Sequence, residues 1–145
     1  MQTTVAGKRV LLAEDDRFLR RACETSLRAR GFTVCTAADG EEALRAARAE
    51  LPDLIVLDMQ MPKLSGLDVL RAVRGDAHTR SVPVLVMSSS GSDEDLAAVS
   101  RLGATGCVAK GKLSLQQLGD CVVDMMGGLE GTPQAPRPPR PAGAR

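Results

Sequence analysis

Apolar runs of four to six residues recur along the chain and alternate with longer stretches of helical spacing. "RVLLA" at 9–13, "TVCTA" at 33–37, "DLIVLD" at 53–58, "VPVLVMS" at 82–88 and "TGCVAK" at 105–110 predict five strands. Most are apolar throughout instead of alternating, which suits strands buried on both faces. Between them lie five helical stretches. The first, 16–30, carries Phe18, Leu19, Ala22, Cys23 and Leu27 as its expected inner face, and Gly31 stops it. The second, 40–50, has Asp39 as its cap and ends at the Leu51-Pro52 step. The third covers 66–75. The fourth, 92–103, opens on Ser92 with acids in its first turn, where the helix dipole favours them. The fifth, 114–126, opens on Ser114 with Leu115, Leu118, Val122 and Met125 on one face.

Strands and helices in strict alternation argue for parallel βαβ units. The expected fold is α/β: a flavodoxin-like (βα)5 doubly wound parallel sheet with strand order 2-1-3-4-5. The folded unit is expected at 8–127, after an N-terminal extension at 1–7. From 128 to 145 the pattern stops, and "GLEGTPQAPRPPRPAGAR" is too poor in apolar residues to build a core, so a flexible Pro/Gly-rich tail is expected there.

In an open parallel sheet, ligands bind outside the carboxyl ends of the strands. The acids Glu14 and Asp15 follow the first strand and Asp58 ends the third, while Ser88 and Lys110 end the fourth and fifth. In the expected strand order these groups converge. Carboxylates crowded together repel one another unless a cation neutralises them, and an all-oxygen set suits a hard ion such as Mg²⁺. A lysine and a hydroxyl on the far side from the acids would suit phosphoryl oxygens. Asp16, the last of the three adjacent acids, fits a helix cap.

The conjunction resembles the receiver domain of two-component response regulators. The match covers roughly 8 to 127. Glu14 and Asp15 look like the family's acidic pair. Asp58, inside "DLIVLDMQMPKLSG", looks like its phospho-accepting aspartate, and Met61, Pro62 and Gly66 match the loop that follows. Gln60 lies where the family places a backbone carbonyl on the metal. Ser88 and Lys110 match its Ser/Thr and lysine positions. The resemblance implies that Asp58 takes a phosphoryl group from a histidine kinase or phosphotransfer protein, with Mg²⁺ bound by Glu14, Asp15, Asp58 and Gln60. Lys110 would stabilise the transferring charge and Ser88 would contact the product. The chain is then a phospho-acceptor rather than an enzyme, a single-domain regulator that signals through a downstream protein target. By the same resemblance, Gln60 and Ser90 lie near the phosphorylation site, where they would tune hydrolysis. Two residues depart from the family. Gly111 stands where Pro usually follows the lysine, and Cys107 stands near a usual Tyr or Phe, so a switch by ring rotation is not expected. These departures leave open an alternative, a pseudo-receiver that binds partners without phosphorylation.

Composition narrows the remaining classes. The 145 residues carry a formal net charge of +1, with no Trp or Tyr and two Phe, so neither a basic field nor base-stacking aromatics point to nucleic acid. The same scarcity, with no phosphate-binding loop after the first strand, argues against a flavin redox protein. No stretch is apolar enough for membrane insertion and no export signal opens the sequence, so a cytoplasmic protein is expected. The four cysteines show no CxxC spacing and are expected to be reduced. Asp53 and Asp68 read as solvated or capping residues, and Arg71 and Arg74 as solvent-facing.

Overall fold

The computed structural model describes residues 7–129. Five strands, β1 (Arg9–Ala13), β2 (Thr33–Ala37), β3 (Leu54–Asp58), β4 (Val84–Ser88) and β5 (Gly106–Ala109), alternate with helices α1 (Arg17–Ala29), α2 (Gly40–Glu50), α3 (Gly66–Gly75), α4 (Asp93–Arg101) and α5 (Leu115–Leu129). The strands form one parallel sheet in the order β2-β1-β3-β4-β5. This is the expected flavodoxin-like architecture. Most of the expected extension and tail lies outside the described residues, although α5 runs on to Leu129.

The sheet has a core layer on each face because successive strand residues point to opposite sides. Val10, Leu12, Leu54, Val56, Leu85 and Met87 face α1 and α5, where they meet Leu27, Leu118, Val122 and Met126. Leu11, Ile55, Leu57, Val84 and Val86 face α2, α3 and α4, where they meet Ala43, Ala47, Val69, Val73 and Val99. The core is aliphatic, and Phe32 is its one aromatic.

Local chemistry fixes where the helices begin. Asp16 accepts the Leu19 N–H at 3.0 Å, Asp39 the Glu42 N–H at 2.8 Å, Ser92 the Asp95 N–H at 3.1 Å and Ser114 the Gln117 N–H at 3.0 Å, as the sequence predicts. Ser65 and Asp68 add a reciprocal capping box at α3. Asp53 accepts the Arg9 N–H at 2.8 Å and so ties the start of β1 to the residue just before β3.

Three expectations are corrected. Phe18 is 84% exposed and takes no part in the core. At 100° per residue it lies roughly opposite Leu27, whereas Leu19, Cys23 and Leu27 share one stripe. Leu115 also stays exposed, and α5 buries Leu118, Val122 and Met126 at four-residue spacing. Arg74 is not solvent-facing. Its Nε and Nη2 donate to the Gly103 carbonyl at 3.0 and 2.8 Å, and its Nη1 donates to the Arg80 and Val82 carbonyls at 2.9 and 2.7 Å. It staples the loop before β4 to the loop before β5. Burial lowers its pKa without removing its charge.

Candidate functional site

Register brings the chemistry together. Ala13 pairs with Leu57, so Glu14 emerges level with Asp58. Asp58 pairs with Met87, and Ser88 with Ala109, so Ser88 and Lys110 follow on the next two strands. Glu14, Asp58 and Ser88 are buried, while Asp15 is exposed.

Carboxylate oxygens of Glu14, Asp15 and Asp58 all lie within 4.8 Å of one another. Lys110 sits among them. Its Nζ donates to Glu14 Oε2 and to Asp58 Oδ2, both at 3.2 Å. Glu14 Oε1 lies 3.0 Å from the same ammonium but lacks hydrogen-bond geometry. It is the buried side-chain oxygen without a hydrogen-bond partner among the described residues. One ammonium facing three carboxylates leaves excess negative charge, and a buried oxygen is left to be satisfied. The set therefore fits a hard cation.

The loop around the site is built on short backbone contacts. The Gln60 N–H donates to Asp58 Oδ1 at 3.1 Å, and the Asp16 N–H donates to Glu14 Oε2 at 3.0 Å. Gly66 opens α3 directly against the Asp58–Met59 backbone. A Cβ there would come within 2.6 Å of Met59 Cα and closer still to the Asp58 carbonyl, so only glycine starts the helix here.

Electrostatics follow from burial. The Asp58 carboxyl is pushed up to about 7, chiefly because burial disfavours its charge. The Gln60 N–H opposes this, the Glu14 charge adds to it, and Lys110 opposes it. Burial pulls the Lys110 ammonium down, but its hydrogen bond to Glu14 and the Asp58 charge prevail and hold its pKa above the ordinary value. Lys110 stays cationic. Burial also raises the Cys23 thiol, to about 11, and those of Cys35 and Cys107. All four cysteines are free, and these three stay protonated at neutral pH.

Of the residues singled out in the sequence, Glu14, Asp15, Asp58 and Lys110 meet directly. Gln60 adjoins Asp58 through its N–H, and its side-chain oxygen accepts from Ser89 at 3.4 Å. Ser88 is turned elsewhere: its Oγ donates to Asp95 Oδ2 at 2.9 Å. Ser90 also donates to Asp95 Oδ2, at 2.6 Å. Sequence reasoning passed over Asp95 as one more acid in a helix's first turn. Its position three residues after the Ser92 cap was the available signal. Arg20, also passed over, donates to the Glu14 carbonyl at 2.9 Å and holds the β1–α1 turn.

Residues 10–122 match the response regulator receiver domain family, and the chain belongs to that family. It is 44% identical over 110 residues to the transcriptional regulatory protein PrrA of Mycobacterium tuberculosis, covering 76% of this chain and 46% of that protein. It is 39% identical over 101 residues to AfsQ1 of Streptomyces coelicolor, covering 70% of this chain and 44% of that one. The chain thus spans less than half the length of these relatives. Among solved structures, the chemotaxis protein CheY4 of Vibrio cholerae aligns with TM-score 0.76 at 31% identity, over 81% of this chain and 97% of that one. The receiver domain of the sensor histidine kinase PA1611 of Pseudomonas aeruginosa, solved with magnesium in its active-site cleft, aligns with TM-score 0.76 at 28% identity, over 84% of this chain and 99% of that one. No described helix is long and apolar enough to cross a membrane.

Proposed function

We propose that the chain accepts a phosphoryl group on Asp58 from a phosphohistidine of a histidine kinase or phosphotransfer protein, and reports it through altered binding of a protein target. The observation that carries this is the Glu14–Asp15–Asp58 cluster with Lys110 seated on two of its members. Glu14, Asp15, Asp58 and, by family resemblance, the Gln60 carbonyl would hold Mg²⁺. When bound, the ion supplies positive charge to the phosphoryl oxygens as charge builds on them.

The residues of the chain do the rest. An ionised Asp58 oxygen attacks phosphorus, the phosphorus–nitrogen bond breaks, and its electron pair stays on the departing imidazole. The product is an acyl phosphate. Lys110, cationic and already 3.2 Å from Asp58 Oδ2, offers its ammonium to the added oxygens. The Gln60 N–H on Oδ1 fixes the carboxylate's orientation. Ser88 offers a hydroxyl donor from the next strand end. The resulting change is carried to α4, since Cys107 is too small to serve as a rotating ring.

The relatives named as transcriptional regulators share less than half their length with this chain, so a DNA-directed output is not carried over from them. The retained acids, Ser88 and Lys110 favour phosphoryl acceptance over a constitutive binding module. Incubation with acetyl phosphate and Mg²⁺, followed by intact mass measurement, tests the reading. The wild type gains one phosphoryl group and Asp58→Asn gains none. An unmodified wild type, or a labelled variant, would overturn it.

A further inference from the structure

A serine hydroxyl has one proton to donate, and Ser88 has committed it. Its Oγ donates to Asp95 Oδ2 at 2.9 Å and accepts the Gly91 N–H at 3.0 Å. Ser88 is buried, so water does not compete for that proton. Asp95 in turn belongs to the first turn of α4. Its N–H donates to the Ser92 cap at 3.1 Å, and the Ser92 N–H donates to Ser90 Oγ at 3.2 Å. Ser90 returns to Asp95 at 2.6 Å. The end of β4 and the start of α4 are thereby closed into one ring of hydrogen bonds.

We propose that Asp95 is a positioning residue that latches the Ser88 hydroxyl to α4, and so competes with a phosphoryl group on Asp58 for the one proton Ser88 can give. The proposal rests on the reading of Asp58 as phosphoryl acceptor, and it names the contact that this chain must break to respond.

The geometry makes the exchange cheap. When Ser88 leaves, Asp95 keeps Ser90, its shorter partner, and remains half-exposed to water. Its carboxylate is therefore never orphaned. The turn cannot stay as it is, however. Ser88 also holds the Gly91 N–H, and Gly91 has φ +62 with its bare Cα face against Ala109, where a Cβ would come within 2.9 Å. Losing that anchor frees the backbone that leads into the Ser92 cap. Release of the latch thus reaches the first turn of α4 without an aromatic intermediary.

The test uses beryllofluoride with Mg²⁺ as the phosphoryl mimic on the full chain, with affinity read by titration. Asp95→Ala frees the Ser88 proton and is expected to bind about fivefold tighter than wild type, the equivalent of one hydrogen bond of about 1 kcal/mol. The gain should vanish when Ser88→Ala is added. Asp95→Asn, which keeps an acceptor oxygen, should fall between. An Asp95→Ala affinity equal to or below wild type, or a gain that survives Ser88→Ala, overturns the latch. A wild type that binds no beryllofluoride counts against the acceptor reading instead. The latch is then judged without ligand, from the Hα–Hβ couplings of Ser88: one rotamer in wild type and averaged rotamers in Asp95→Ala support it, and identical couplings in both refute it.

Discussion

Replacing Asp58 by Asn should stabilise the metal-free protein, by an amount that depends on pH. Asn is the same size, keeps an oxygen for the Gln60 N–H, and carries no charge. The wild-type carboxyl has an ordinary value of 3.8 and is pushed up to about 7 in the fold, by burial first and by Glu14 in addition. Between those values the folded chain holds a proton that the unfolded chain has released. Stability therefore falls as pH rises from about 4 to about 7, and this contribution levels off above that. A pKa difference of roughly three at about 1.36 kcal/mol each sets a ceiling of about 4 kcal/mol at pH 8 and under about 2 kcal/mol at pH 5. Relaxation of the Glu14–Lys110 pair trims both figures. Urea unfolding in EDTA should then show Asp58→Asn more stable than wild type by about 2–4 kcal/mol at pH 8, with the gain at least halved at pH 5. A variant no more stable than wild type at pH 8, or a gain independent of pH, would refute the claim that a buried, like-charged cluster strains this fold.

Mg²⁺ should raise the melting temperature of the wild type, by about 2–3 kcal/mol of added stability near a hundredfold excess over its dissociation constant, and raise that of Glu14→Gln less. Equal gains in differential scanning fluorimetry would remove Glu14 from the metal site. Arg74→Leu keeps the aliphatic stem but leaves the Gly103, Arg80 and Val82 carbonyls without their donor, and should cost about 2–3 kcal/mol in chemical denaturation. A loss below about 0.5 kcal/mol would mean that water replaces the staple. Gly66→Ala forces a methyl against the Asp58–Met59 backbone and should both destabilise the fold by more than about 2 kcal/mol and weaken the Mg²⁺ shift. A neutral outcome in both assays would show that the α3 start can move away from the site.

The strands and the capping residues were legible because each rests on a local signal: apolar runs, or an Asp or Ser one residue ahead of a helix. Their parallel direction followed from the strict alternation with helices, and their order only from likeness to the flavodoxin-like fold. The site was legible in outline because its members stand at strand ends, where register alone brings Glu14 beside Asp58. What was not legible depends on rotation and reach. Phe18 fits a loose helical spacing, but only its angle relative to Leu27 shows that it faces outward. Arg74 looked solvated because a long side chain that turns back onto carbonyls from three loop positions leaves no trace in a charge pattern. Lys110 was expected opposite the acids and instead lies on two of them. Asp95 could be read as a dipole partner for α4, and its second bond, to a hydroxyl seven residues earlier, exists only once β4 and α4 are folded back on one another.

Acyl phosphate formation at Asp58 is most directly measured by site-mapped mass spectrometry. The full chain is exposed to acetyl phosphate in Mg²⁺ or in EDTA, digested, and read peptide by peptide. One phosphoryl group should appear on the peptide that carries Asp58, should be absent in EDTA, and should be absent from Asp58→Asn. A folded wild type that binds Mg²⁺ yet carries no label, or a label on any other residue, would contradict the assignment of Asp58 as the acceptor.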